Sequence, residues 1–236
     1  MEKKKLIYEG KAKCLYATDR DGYLIQKFKD EVVTESEGQR MSIAGKGETN
    51  NGIACFLFQY LESHHVPTHF VERQGPAEMV VRKLTMIPVQ VAMHNIAMAK
   101  LAKTFDLAEG SPLSYPIQEY FLKSDKLGNP MVNEHHTLAL GYAQPEDMRT
   151  IGRLSSKINA ILKSFFERRG LLLMGFRVEF GKQGEQIYVG DEISLDTCQF
   201  WDKKLNCRLD VDRADQDPVE IEKAYRELCG RLTNSS

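Results

Sequence analysis

Cysteine is scarce and unorganised in this chain. The five present, Cys14, Cys55, Cys198, Cys207 and Cys229, are odd in number and far apart, and no C-x-x-C occurs. That pattern argues against a disulfide frame or a zinc site and fits free thiols in a reducing, cytoplasmic setting. Long hydrophobic runs are missing as well. No stretch approaches the roughly 18 apolar residues of a membrane span. The Met1-Glu2-Lys3-Lys4-Lys5 start leads into only three apolar or aromatic residues before Glu9, which is not a signal peptide. Excess charge of one sign is also lacking: 32 Lys+Arg stand against 33 Asp+Glu, a net charge of −1. A broad electrostatic grip on nucleic acid or anionic membrane is therefore not expected, although a local basic pocket is compatible with this balance. There are no internal repeats and no low-complexity linker. What remains is a 236-residue chain, 42% apolar and 28% charged. It is long enough for one large domain, or two small ones closing on each other, with a core that needs no staples.

The N-terminal third reads as strands, one helix, then strands. Lys5–Tyr8 and Lys13–Ala17 flank Glu9-Gly10-Lys11-Ala12, and Asp21-Gly22 turns the chain into Tyr23–Phe28. Glu31–Gly47 reads as a polar loop. A helix follows, capped by Asn50 or Asn51 and carrying Ile53, Phe56, Leu57, Tyr60 and Leu61 at three- and four-residue spacing. It ends near Ser63–His65, and Phe70–Glu72 and Glu78–Leu84 return as strands. Further on, Val89–Phe105 carries a helical stripe and Ser111–Pro116 reads as a loop. Leu154–Arg169 is the clearest helix, stopped by Gly170. Leu171–Phe180 and Gln186–Val189 then form a hairpin about Gly184, and a last helix opens at Asp217-Pro218. The expected division is residues 1–84, a β-rich lobe, and residues 85–236, an α/β lobe.

Several residues have the types that phosphate chemistry requires. Gly10-Lys11-Ala12-Lys13 sits in a strand–turn–strand, where glycine admits an oxyanion to the backbone and two lysines one residue apart share a face. Its spacing is not that of a Walker A loop, and a solvated charged hairpin explains the tetrad too. Gly45-Lys46-Gly47 before Asn50-Asn51 is a second basic loop opening a helix. Glu179 and the Asp191-Glu192 pair lie on facing arms of the second hairpin. Oxygen ligands there suit Mg²⁺ bound with nucleotide phosphates, and bare carboxylates would need Lys11, Lys13 or Arg177 to offset them. Solvent-facing acids on an edge hairpin are the competing explanation. The histidine pairs His64-His65 and His135-His136 have no ligand spacing, Trp201 reads as core, and the acids of Asp210–Asp217 read as a solvated loop.

Taken together, these segments resemble the bacterial SAICAR synthase family of purine biosynthesis. The resemblance runs through Leu6–Lys13, Gly45-Lys46-Gly47 with Asn50-Asn51, Lys83–Val89, Lys123-Ser124-Asp125 and Pro130–Glu134. It continues through Phe176–Gly181, Gly190–Ser194, Asp196-Thr197-Cys198 and Trp201-Asp202. It implies an α+β, two-lobed fold of ATP-grasp or kinase-like arrangement, with ATP in the cleft between a β-rich N-terminal lobe and a larger α/β lobe. It implies an ATP- and Mg²⁺-dependent ligase that activates a carboxylate as an acyl phosphate for attack by an amino-acid amine, aspartate being the family's donor. The partners are then small molecules, with no nucleic acid or membrane, and a homo-oligomer is compatible. By resemblance Gly10, Lys11 and Lys13 form the phosphate hairpin and Lys83 and Met86 pass the adenine. Glu179 and Asp191 face metal and phosphates, and the catalytic cations are Lys13, Lys123 and Arg177.

The acceptor half departs from the family pattern. The family's Val-Val-Arg-Asn-x-Ala-Ala-Gly-Ser reads Ala92-Met93-His94-Asn95-Ile96-Ala97-Met98-Ala99-Lys100 here. Its Asp-Pro is Asn129-Pro130, its Val-Asp-Phe-Lys is Met174-Gly175-Phe176-Arg177, and a later arginine is Gln199. His94, Asn95, Lys100, Asn129, Gly175 and Gln199 thus mark the acceptor pocket. In the family the arginines and serine at these places grip a ribonucleotide phosphate. Imidazole and amide do not replace a guanidinium fork. The expected function is a C–N ligase with an altered acceptor, in specialised metabolism. The genuine purine reaction is the alternative, and a nucleotide-binding protein without ligase activity or a small-molecule kinase are further ones.

Overall fold

Fourteen strands and four α-helices are the main elements among the described residues, and the longest strands are buried in the core. The computed structural model describes residues 1–33, 40–204, 207–208, 227–228 and 230–232. In order these are β1 (Lys3–Glu9), β2 (Lys13–Thr18), β3 (Tyr23–Phe28), β4 (Glu31–Val33), β5 (Arg40–Ser42), α1 (Lys46–Ser63), β6 (Phe70–Gly75) and β7 (Glu78–Arg82). There follow β8 (Thr85–Ile96), α2 (Ala99–Thr104), β9 (Pro112–Leu122), β10 (Met131–Val132), α3 (Glu134–Ala139) and α4 (Pro145–Glu167). The last are β11 (Leu171–Gln183), β12 (Gln186–Gly190), β13 (Cys198–Asp202) and β14 (Cys207–Arg208). The helix expected from Asp217 and the acids before it lie outside the described residues.

Two antiparallel sheets carry the α+β fold. The first is ordered β1-β2-β3-β7-β6; the second runs β10-β9-β8-β11-β13-β14, with β12 beside β11. The long β11 is the axis of the second sheet. One edge pairs with β8, and the other is shared between β13 near its start and β12 near its end. Both long helices pack inward. In α4, Ile151, Leu154, Ile158, Leu162 and Phe165 are buried at helical spacing, with Pro145 in its first turn. Phe166 meets Phe165 and Phe200 edge-on at 5.1 and 4.6 Å, within a continuous core that reaches from α1 to β13. Among the described residues no helix is long and apolar enough to cross a membrane. Cys14, Cys55 and Cys198 are free and buried, and burial pushes the Cys55 thiol up to about 11 and that of Cys198 up to about 12.

Five local expectations need correction. Glu31–Gly47, read as a loop, holds the paired strands β4 and β5 and the first residues of α1. The stretch read as a helix over Val89–Phe105 is mostly strand β8. Val89, Val91, Met93 and Asn95 are buried on one face while Gln90, Ala92 and His94 face the other, a period of two that the four-residue matches obscured; only α2 is helical. The proline-punctuated Ser111–Pro116 belongs largely to β9. Pro116 falls within the register shift between the pairs His94–Ile117 and Ile96–Pro112, where the ladder is already interrupted. Neither asparagine caps α1. The cap is Gly45 at φ 78°, one turn earlier, and Asn50 and Asn51 are buried inside the helix. The Asn51 amide instead donates to the carbonyls of Gly75, Pro76 and Glu78, fastening α1 to the β6–β7 turn. Trp201 is half-buried rather than core. Replacing Phe166 by Ala is expected to cost about 3–5 kcal/mol, from lost burial and the cavity left behind. Denaturant unfolding followed by circular dichroism checks this.

Candidate functional site

The site begins with a buried lysine. Lys13 opens β2 at 8% exposure, and its Nζ lies 2.7 Å from Asp191 Oδ1 and 3.1 Å from Glu192 Oε1. Consecutive residues of a strand point to opposite faces. Here both carboxylates reach one ammonium because Asp191, just past the end of β12, takes the left-handed conformation at φ 61°. The Gln26 amide of β3 donates to the Asp191 carbonyl at 3.2 Å, and Ser194 Oγ donates to Glu192 Oε2 at 2.9 Å. On β11, Glu179 is 4% exposed and both its oxygens accept from Lys123 Nζ, at 2.6 and 2.7 Å; the Gln90 amide adds a bond at 3.1 Å. Glu179 pairs with Gly190 across the β11–β12 hairpin, which sets it beside Asp191 as the sequence pattern required.

The titrations follow from this crowding. Burial disfavours the Lys13 ammonium, but the charges of Asp191 and Glu192 outweigh it and raise its pKa. Burial and the Asp191 charge raise Glu179, with Lys123 opposing. Burial also raises Glu192. Burial works against the Asp191 carboxylate as well, yet Lys13 holds it below the usual range. Three carboxylates thus face two lysines. Among the described residues there is no ready-made metal-binding group of three or more His, Cys, Asp or Glu side chains. Mg²⁺ does not require one: it binds through one or two carboxylates, phosphate oxygens and water, and the hard oxygens of Glu179 and Asp191 fit that role.

Lys123 also lines a cavity of about 540 Å³ on the open face of the second sheet. Strand register arranges the floor in ranks. Phe121, Gln90 and Glu179 lie across β9, β8 and β11 at the carboxylate end. Glu119, Ala92 and Arg177 form the next rank, with Arg177 exposed and the small Ala92 leaving room between the two charges. Ile117, His94, Gly175 and Gln199 form the far rank. His94 Nε2 lies 3.1 Å from Glu119 Oε2. A Cβ at Gly175 would meet the Met93 carbonyl at 2.7 Å, so glycine is what lets β8 and β11 approach there. The remaining wall is largely apolar, with Met98, Leu101 and Phe105 from the α2 region and Met131 from β10.

Several anticipated residues lie elsewhere. Lys11 is exposed in the turn beside Gly10, outside the strand, so it does not share a strand face with Lys13; the Gly10 N–H donates to the Lys13 carbonyl at 2.8 Å. Lys83 is exposed where the chain passes from one sheet to the other. Met86 lies over Gly181 and Gly190, where its sulfur would stand 3.0 and 3.3 Å from an added Cβ. Asn95 does not line the cavity. Alternation along β8 turns it to the opposite face, where its amide exchanges hydrogen bonds with Asn159 at 2.8 and 2.9 Å. Asn129 lines the cavity, but its Oδ1 accepts from the Ser124 N–H at 2.8 Å. Lys100 is in α2, and its side chain lies outside the described residues. Sequence reasoning gave no role to Gln26, Gln90 or Glu119. It also left Lys46, Asn50 and Asp196 as motif fragments: the Lys46 ammonium and Asn50 amide both bond the Asp196 carboxylate, joining α1 to the loop before β13.

Removing the Lys13 charge leaves Asp191 and Glu192 facing each other in a buried place. If Lys13 serves the nucleotide, Lys13→Met is expected to lower nucleotide turnover at least about 100-fold, the scale of losing a preorganised charged donor. A coupled ADP-release assay checks this.

Comparison with known proteins adds an independent line. The family model for SAICAR synthetase matches residues 6–232. Phosphoribosylaminoimidazole-succinocarboxamide synthase of Desulfitobacterium hafniense strain Y51 is 44% identical over 232 residues, covering 98% of each chain. The enzyme of that name from Chloroherpeton thalassium is 42% identical over 98% of this chain and 99% of its own. The crystal structure of the Ehrlichia chaffeensis synthase superposes with a TM-score of 0.92 at 38% identity, covering 97% of this chain and 98% of that one. A SAICAR synthetase solved in complex with ADP gives 0.90 at 37% identity, covering 97% of both. A full-length family match and full-length relatives well above 30% identity leave one conclusion: this chain belongs to the SAICAR synthetase family.

Proposed function

We propose that this protein joins the carboxylate of carboxyaminoimidazole ribonucleotide to the amine of L-aspartate, with ATP becoming ADP and phosphate. One observation carries the reading: Lys123 grips Glu179 in the carboxylate–lysine cluster and also lines the cavity. A carboxylate in the cavity and a triphosphate over the cluster would therefore meet at a single ammonium. The chemistry balances in two steps. A carboxylate oxygen attacks the γ-phosphorus and ADP leaves. The aspartate nitrogen then attacks the acyl carbon, loses a proton, and phosphate leaves. Mg²⁺ held by Glu179 and Asp191 would neutralise charge that develops on the phosphates.

The chain's own residues divide the work. Lys13 and the Gly10 turn face the phosphates, and Met86 with Lys83 borders the base at the passage between sheets. Glu179 and Asp191 present oxygens to the metal. Arg177, exposed in the middle rank, orients the acceptor carboxylate beside Lys123. Residues 1–84 and 85–236 serve as the two lobes, a division supported by the change of sheet between Arg82 and Thr85.

The sequence pattern had put an altered acceptor first. The purine reaction now stands ahead of it, because full-length relatives at 40–44% identity bear the purine enzyme's name. The other reading keeps one specific observation: the far rank holds His94 paired to Glu119, with Gly175 and Gln199, and a carboxylate there disfavours a phosphate. Steady-state kinetics with ATP, Mg²⁺, L-aspartate and carboxyaminoimidazole ribonucleotide separate the two. The purine reading predicts turnover of at least about 1 s⁻¹, within the usual enzyme range. The other predicts negligible turnover of the nucleotide and a preference for its dephosphorylated riboside. In both readings the double variant His94→Arg/Gln199→Arg is expected to leave ADP affinity unchanged in calorimetry, since these positions lie in the far rank.

A further inference from the structure

The nucleotide end of the site depends on a backbone arrangement that its own charged residues do not explain. Asp191 and Glu192 are neighbours in sequence, yet both carboxylates converge on Lys13 Nζ, at 2.7 and 3.1 Å. An extended chain would send one of them away from the site. Convergence requires Asp191 to hold φ 61°, a region that residues other than glycine seldom occupy. Something must hold the peptide there, and the carbonyl of Asp191 is where the holding occurs. Its side-chain partner on β3 is the amide of Gln26, at 3.2 Å, and the buried ring of His69 also lies against the Asp191 backbone.

Gln26 is suited to this in three ways. It is 1% exposed, so its amide is out of reach of solvent and a hydrogen bond there is not traded for one to water. It sits on β3 opposite Leu15 of β2, two residues along from Lys13, so the same sheet face supplies both the ammonium for the Asp191 carboxylate and the donor for its carbonyl. Moreover, β3 belongs to the first sheet and Asp191 follows β12 of the second, so the bond crosses between lobes. A glutamine buried on an otherwise apolar strand face is otherwise a cost to the core.

We propose that Gln26 is a positioning residue: by holding the Asp191 carbonyl it fixes the left-handed peptide that turns the Asp191 oxygens toward the metal and phosphates. The inference rests on the reading of Asp191 as a metal–phosphate residue. Gln26 itself touches neither nucleotide nor acceptor. Without its amide the Asp191 carbonyl keeps only the His69 ring beside it, the left-handed peptide is less firmly held, and the Asp191 oxygens turn from the metal and phosphates.

The test is calorimetric titration of the full-length protein with ADP, once with saturating Mg²⁺ and once with EDTA. In the unaltered protein Mg²⁺ strengthens ADP binding; Gln26→Met, similar in volume but without a donor, is expected to reduce that strengthening at least five-fold. ADP affinity in EDTA is expected to stay within two-fold, and the acceptor KM likewise. Gln26→Thr, which suits a strand and cannot reach Asp191, is the second variant should methionine not yield folded protein, and the same loss is expected. An unchanged Mg²⁺ effect in either folded variant overturns the proposal. So does an equal weakening with and without Mg²⁺, the mark of simple packing. No Mg²⁺ effect in the unaltered protein would instead remove the metal–phosphate reading, and the proposal with it.

Discussion

One ammonium in a buried place sets the terms for the rest of this molecule. Lys13 comes from the first sheet, and the two carboxylates it meets come from the second. Neither side is stable there alone, because an unpaired charge out of water is costly. The contact therefore fixes how the β2–β3 face sits over the β11–β12 hairpin. The Lys46–Asp196 pair repeats the device at the start of α1, and Asn51 ties the same helix back to the first sheet. Polar contacts in these places decide orientation, while the phenylalanine-rich core beneath α4 supplies most of the cohesion.

The second sheet turns the same geometry into an ordered surface. Side chains of like parity on β8, β9, β11 and β13 stand in ranks, and the chemistry changes from rank to rank. Carboxylates with lysine come first, then an arginine across a gap from a glutamate, then histidine and glutamine flanking a glycine. A substrate lying along this floor would meet the lysine–carboxylate cluster at one end and His94 and Gln199 at the other. The gap at Ala92 gives it depth. Family membership establishes the kind of reaction this arrangement serves.

Much of the fold and part of the site were legible in the sequence. The β11–β12 hairpin could be read because alternation and a glycine turn coincide at Glu179–Gly190, and with it came the closeness of Glu179 to Asp191. Helix α4 could be read from Leu154 onward because its apolar stripe has one period and a clear stop at Gly170, but its first turns, from Pro145, were not read. Strand β8 was misread because Val89, Val91 and Met93 alternate inside a longer segment whose apolar residues also recur at three and four. Asn95 was misplaced because the family pattern sets it next to His94 in the acceptor pocket, whereas parity along β8 assigns it to the core. Gln26 and Glu119 could not be found at all. Their roles arise from pairings across 165 and 25 residues, and nothing local marks them.

In the proposed reaction the cluster delivers a phosphoryl group to a carboxylate held in the adjoining cavity, with Lys123 common to both. The most direct measurement uses an acceptor labelled with ¹⁸O in its carboxylate, turned over with ATP and L-aspartate, and mass spectrometry of the phosphate released. The account predicts phosphate carrying one ¹⁸O from the acceptor, because the oxygen that attacks phosphorus leaves with it. Unlabelled phosphate from a reaction that still forms the amide would contradict it.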